Sequence, residues 1–309
     1  MKITKPLIFG CVCLISFFTI LNSIKHIMAE YHHRQGFIKQ SKGYPNLANY
    51  NYKKAVNLIP WENHYRLQLA KSFESTANRS QGKYNKYIEL AIKEYMTLLS
   101  IDNINPWYKA RLGILYHDRF NKYGQINDKI NAEKYALAAT NSDPKNPLFT
   151  LHFAHFLYTY NKIDEATKYY KKTIEYDNDM LEAHFNLGAI YFEKKQIEVA
   201  MSHYKKITER LPSIESNFRI NPTKEYEEKI KRYQNARIRL ADYYLSQNKL
   251  VAAYELISLV PVSIEKYELL ASYYEKMKQF TSAISIYEQL NQRLEENRYD
   301  SQIKRLKRL

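Results

Sequence analysis

The alternation of apolar and polar positions divides the chain into two unequal parts. From Pro6 to Ile24 the sequence carries no charge for 19 residues, long enough as a helix to match a hydrocarbon core about 30 Å thick. Beyond Lys25 the apolar residues recur every three or four positions, which predicts a succession of amphipathic helices. That pattern repeats itself. Residues 147–180 and 181–214 match at an offset of 34: Phe153-Ala154 falls on Leu187-Gly188, Ala166 on Ala200, Tyr170 on Tyr204, Lys171-Lys172 on Lys205-Lys206 and Asn178 on Pro212.

A small residue at repeat positions 8 and 20 lets two helices approach closely, while large residues at 11 and 24 fill the space beside them. In 181–214 this set is Leu187, Gly188, Tyr191, Ala200, Tyr204 and Pro212, with Ile207 departing from the usual alanine. The arrangement resembles the tetratricopeptide repeat. The same spacing of twelve recurs from Ala241 to Ala253 and from Ala271 to Ala283, with Tyr244 and Tyr274 at position 11. Toward the N-terminus, Leu112-Gly113-Tyr116 pairs with Ala132, Ala136, Ala139 and Pro144. Leu69-Ala70-Phe73 pairs with Ala91, Tyr95 and Leu98, and Ala48, Tyr52, Ala55 and Pro60 form one further second helix whose partner lies in 27–45.

The resemblance implies an all-α fold: a right-handed helical solenoid of about seven helix pairs over residues 25–298, preceded by one transmembrane helix at 6–24 and a basic tail at 1–5. Residues 299–309, ending Gln302-Ile303-Lys304-Arg305-Leu306-Lys307-Arg308-Leu309, read as a basic cap on the last repeat, with membrane contact as the other reading. Three departures stand out. The interval from Ala70 to Ala91 is 21 and that from Gly113 to Ala132 is 19, against twelve in a regular unit. These insertions carry Arg79, Lys83 and Lys86 in one and Arg119, Lys122 and Lys129 in the other, either as a shared basic docking edge or as longer helices. The third is the irregular spacer 213–233, where Asn221-Pro222 reads as an N-cap with proline at N1, opening a long helix that bends or hinges the solenoid.

Composition narrows the function. Both cysteines, Cys11 and Cys13, lie in the apolar run, so the body has no thiol for a disulfide, a zinc site or a nucleophile. The sequence contains no G-x-x-x-x-G-K-[ST], G-x-G-x-x-G or G-x-S-x-G. His152 and His155, and the adjacent His32-His33, lack further ligands at metal spacing. No catalytic, cofactor or metal site is expected. The sequon Asn78-Arg79-Ser80 matters only in a glycosylating host. A net charge of +15 admits anionic partners, but Lys and Glu interleave, as in Glu225-Tyr226-Glu227-Glu228-Lys229, in the manner of solvated helix faces. No nucleic-acid role is expected.

Lys2 and Lys5 precede the apolar run as in a signal sequence. The run ends in Lys25-His26, and the best cleavage site, Ile27-Met28-Ala29, lies beyond those charges, so retention is expected over cleavage. Cys11 after Ile8-Phe9-Gly10 is a poor lipidation signal because most of the apolar stretch follows it. Lys25, Arg34, Lys39 and Lys42 balance the N-terminal charges, but a short basic tail favours leaving the N-terminus in the cytoplasm. The expected location is a bacterial inner membrane, with a single pass and a periplasmic body.

In the repeat family the ligand lies along the face lined by the first helices, reached from positions 2, 5, 6, 9, 12 and 13. The resemblance places Trp107, Arg111, His117 and Asp118 there in one unit, His155 and Tyr158 in the next, and Phe185, Asn186, Phe192 and Glu193 in the third. About half of these are expected to pack against the adjacent repeat. Such an aromatic groove suits a helix or extended peptide. The family's clamp for chaperone tails is not expected, because only Asn186 matches it. The implied function is a non-catalytic scaffold of a cell-envelope complex of secretion, pilus or flagellar-motor type. A narrower likeness, in Ala55-Val56-Asn57-Leu58-Ile59-Pro60-Trp61, Tyr65-Arg66 and Leu69-Ala70, is to repeat tails of surface-polysaccharide polymerases and ligases, which would imply an accessory role in polysaccharide export.

Overall fold

A computed structural model describes the backbone of residues 5–309 apart from Gln81 and Asn221, and the side chains of all of these except 5–12 and Glu225. Among the described residues there are fifteen helices and no strand. The helices gather into two compact units, one ending at Tyr160 and one running from Asn161 to Leu309.

The first unit contains α1 (Lys5–Ser41), α2 (Pro45–Leu58), α3 (Asn63–Arg79), α4 (Tyr84–Ile101), α5 (Pro106–Tyr123), α6 (Ile126–Ser142) and α7 (Pro147–Thr159). Its core is built on the expected small residues. Ala48, Ala70, Ala91, Ala132 and Ala154 have no exposed surface, and the helices they belong to pack at close range. Gly36 serves the same purpose in α1: a Cβ added there would lie 2.8 Å from the Tyr52 ring of α2. Gly36, Ala48 and Tyr52 thus repeat the spacing of Gly188, Ala200 and Tyr204. Tyrosines bury their rings and keep the hydroxyl at a polar edge. The Tyr52 hydroxyl donates to Gln40 Oε1 at 3.1 Å and that of Tyr87 to Asn46 Oδ1 at 3.0 Å, which explains the preference for Tyr over Phe.

No helix of the described residues is long and apolar enough to cross a membrane. Of the expected basic tail at 1–5, residues 1–4 lie outside the described residues, as do the side chains of 5–12. Leu14, Ile15, Phe17 and Phe18 of the expected span are exposed. The first helix of the opening repeat, expected within 27–45, is the second half of α1. The helix continues without a break to Ser41, because Ala29 and Gly36 on the same helix are buried in the first repeat.

The two insertions are longer helices joined by short turns. α3 reaches Arg79 and α4 starts at Tyr84, while α5 reaches Tyr123 and α6 starts at Ile126. Gly124 at φ +70° closes α5 in the left-handed region, a role suited to glycine.

The second unit contains α8 (Ile163–Tyr176), α9 (Leu181–Glu193), α10 (Ile197–Ile220), α11 (Lys224–Ser246), α12 (Leu250–Leu259), α13 (Ile264–Lys276), α14 (Phe280–Leu294) and α15 (Asp300–Leu306). Pro212, expected to end a repeat, sits inside α10. An internal proline removes one helical hydrogen bond, at a cost of about 3 kcal/mol. Complete burial of Leu211 and packing of Ile214 against the Tyr204–Tyr233 core offset it. Beyond the proline, Glu215 accepts from Gln234 Nε2 at 2.6 Å and from Arg237 Nη1 at 3.1 Å. The spacer 213–233 is therefore largely helix. Asn221 lies outside the described residues. The N-cap of α11 is Thr223, whose hydroxyl accepts from the Tyr226 amide at 3.2 Å, so Pro222 precedes the cap instead of following it. α15 buries Ile303 and Leu306 in the last core beside Tyr287 and Leu290.

Candidate functional site

A groove in the first unit runs along α3 and α5. Asn105 caps α5, its side-chain oxygen accepting from the Trp107 amide at 3.1 Å, and Pro106 stands in the first turn. The cap places Trp107 at the mouth of the groove, 56% exposed, its ring edge-on to Phe149 at 4.8 Å. One turn later Arg111 reaches across to α3 and pairs with the buried Glu74. Tyr95 of α4 lies beneath the same pair. Burial and the Glu74 carboxylate push its phenol far above the usual range, so it stays a neutral donor. The second Glu74 oxygen, Oε1, is buried without a partner.

Together these residues enclose a cavity of about 600 Å³ with Leu67 and Lys71 on its α3 side. An apolar floor, a fixed ion pair and one lysine at the rim suit the side chains of a bound peptide. Glu74, Lys71 and Leu67 were not among the residues expected here. The signal was available: counted from Ala70 at position 8, Leu67, Lys71 and Glu74 occupy positions 5, 9 and 12, which belong to the same set of groove positions as Arg111, at position 6 counted from Gly113.

Of the expected groove residues, Trp107 and Arg111 meet in this cavity. His117 does not face it. Its ring is 5% exposed and stacked on Phe156 at 4.1 Å, with Nδ1 3.0 Å from the Tyr160 hydroxyl and Nε2 3.0 Å from Asn121 Nδ2. Burial lowers its pKa to about 4. Asp118 and His155 are exposed and Tyr158 is half-buried. In the second unit Phe185 packs between Tyr204 and Tyr233, at 6.3 and 6.1 Å. Asn186 is half-buried, with Nδ2 lacking a partner. The Arg239 guanidinium covers Phe192 at 4.5 Å beside a cavity of about 340 Å³, and Glu193 is exposed.

The expected basic edge is divided. Arg119 is held by two hydrogen bonds to the buried Asp128, at 2.9 and 3.0 Å. Lys122 sits 3.8 Å over the Tyr84 ring and Lys129 sits 4.8 Å over the Tyr160 ring, where the cations are partly engaged by aromatic faces. Arg79, Lys83 and Lys86 are exposed. The Tyr84–Tyr123 contact at 6.4 Å brings the two insertions side by side.

A family model for the tetratricopeptide repeat matches residues 181–212. Those residues, α9 with the first part of α10, are similar to one tetratricopeptide repeat. Solved structures with a similar fold include the pilF protein of Pseudomonas aeruginosa, at a TM-score of 0.52 and 16% identity over 80% of this chain and 98% of that one. Others are MamA from Desulfovibrio magneticus RS-1, at 0.49 and 14% over 60% and 96%, and a thermophilic repeat protein of Thermus thermophilus, at 0.46 and 14% over 66% and 98%. The first of these likenesses shows the fold: an all-helical solenoid of tetratricopeptide type. No curated protein matches the sequence.

Proposed function

We propose that the protein is a non-catalytic scaffold that holds partner proteins at the bacterial inner membrane, with residues 6–24 as its single-pass tether and the repeat body in the periplasm. Its partners belong to an envelope assembly of secretion, pilus or flagellar-motor type and engage the α3–α5 groove. The observation that carries this reading is the open cavity around Trp107, Arg111 and Glu74, with its exposed indole and fixed ion pair. Repeat solenoids present such grooves to extended or helical segments. The tether rests on the uncharged apolar run from Pro6 to Ile24; with that run in a bilayer, the unbroken helix α1 would hold a partner bound to the body at a set distance from it.

The reading is tested by placing a photo-crosslinking amino acid at Trp107 in native membranes. The expected result is a small set of envelope proteins, with the yield lost when Arg111 is replaced by Ala. Crosslinks to cytoplasmic proteins alone would overturn the exported topology, as would an inactive alkaline phosphatase fused after Leu309. Release of the protein by alkaline carbonate would overturn the tether.

A further inference from the structure

Helix α3 has a second cavity on its other side. Leu67, Lys71 and Glu74 face the groove, whereas Arg66, Leu69 and Phe73 lie about 130° round the helix, at ~100° per residue. There α2, α3 and α4 enclose about 400 Å³, within the range of roughly 300–1,000 Å³ typical of ligand sites. Its floor is apolar: Val56, Leu69 and Phe73 are buried there beside Leu90.

Charge decides what this cavity accepts. Arg66 forms one wall and is already neutralised, its Nη1 donating to Glu94 Oε2 at 2.6 Å and its Nη2 to the Pro60 carbonyl at 3.1 Å, while Nε is buried without a partner. Lys53 on α2 and Lys93 on α4 line the same cavity from different helices, both exposed. Neither makes an ion pair or ring contact among the described residues. Two uncompensated positive charges thus flank an apolar pocket.

We propose that this cavity binds an acidic segment of a partner protein, with one apolar side chain entering between α2 and α4 and carboxylates on either side of it meeting Lys53 and Lys93. The site is separate from the α3–α5 groove and does not depend on it. The repeat body thereby offers two faces to partners, one aromatic and one that selects negative charge.

The test uses the full chain in nanodiscs and a fluorescein-labelled peptide with a central phenylalanine flanked by glutamates, followed by anisotropy. K53E/K93E should weaken binding by about tenfold or more, as expected for the loss and reversal of two exposed ion pairs, and the glutamine analogue of the peptide should also bind more weakly, with a smaller loss because attraction is removed and no repulsion is added. Lys71→Glu and Trp107→Ala, which alter the other groove, should leave this binding unchanged. Binding that survives K53E/K93E, or that is lost equally in Lys71→Glu, would overturn the assignment. So would capture of phosphatidylglycerol vesicles without capture of the peptide. Unchanged thermal melts should accompany both lysine changes, and if K53E/K93E misfolds, the neutral pair Lys53→Gln/Lys93→Gln gives the same reading with a smaller loss.

Discussion

Burial without a counter-charge decides the state of two histidines. His117 in the first unit and His203 in the second both have their pKa lowered to about 4, first by desolvation and then by a neighbouring histidine, His155 and His184 respectively, with Lys171 adding to the effect on His203. In the unfolded chain both return to about 6.5. Above that value neither state holds the proton. As the pH falls from 6.5 toward 4 the unfolded chain takes up protons that the folded chain excludes, so stability is lost across that window. Thermal melts by circular dichroism should show Tm falling reversibly between pH 6.5 and 4, and the His117→Phe/His203→Phe variant should flatten the slope. An equally steep slope in that variant would mean the two rings are not buried neutral. The sequence placed His117 on the groove by counting positions, but the count does not reveal that Phe156 and Tyr160 close over it.

The helix pairs depend on positions where no side chain fits. A Cβ on Gly188 would lie 2.5 Å from Cε1 of Tyr204, and one on Gly36 would lie 2.8 Å from the Tyr52 ring. Both tyrosines are 1% exposed and have no room to retreat. Gly188→Ala should therefore force α9 from α10 and cost about 1–3 kcal/mol, as overpacking of a filled core does, and Gly36→Ala should act likewise on α1 and α2. Urea denaturation measures this, and a cost near zero would show that the rings can yield. Gly188 was legible as a repeat position with a stated physical purpose. Gly36 was not singled out: the sequence places the first repeat's partner helix in 27–45, but without the apolar–small pair that marks position 8 in the other units. The continuation of α10 through Pro212 was illegible for another reason: proline marks helix ends on average, and only the burial of Leu211 and the Glu215–Arg237 contact make an exception here.

Across the molecule, stability is distributed among neighbours. A solenoid has no single core, so a local defect is felt by the adjacent helices and fades beyond them. Hydrogen exchange should show Gly188→Ala losing protection in α9, α10 and the start of α11, with α13 and α14 of the same unit unchanged; loss spread evenly through the unit would indicate one cooperative core. The sequence by itself determined the helical class, the repeat spacing and most of the small residues at the close approaches, Gly36 excepted, because those depend on local periodicity and on side-chain size, which a chain displays openly. Only the tertiary structure decided that Gly36 is where α1 meets α2, that the insertions extend helices, that Trp107 and Arg111 share a cavity with Glu74 while His117 does not, and that Lys53 and Lys93 line one second pocket. Each of these turns on which side chains from distant parts of the chain meet, and burial by a distant partner leaves no local mark in the pattern of apolar and polar positions.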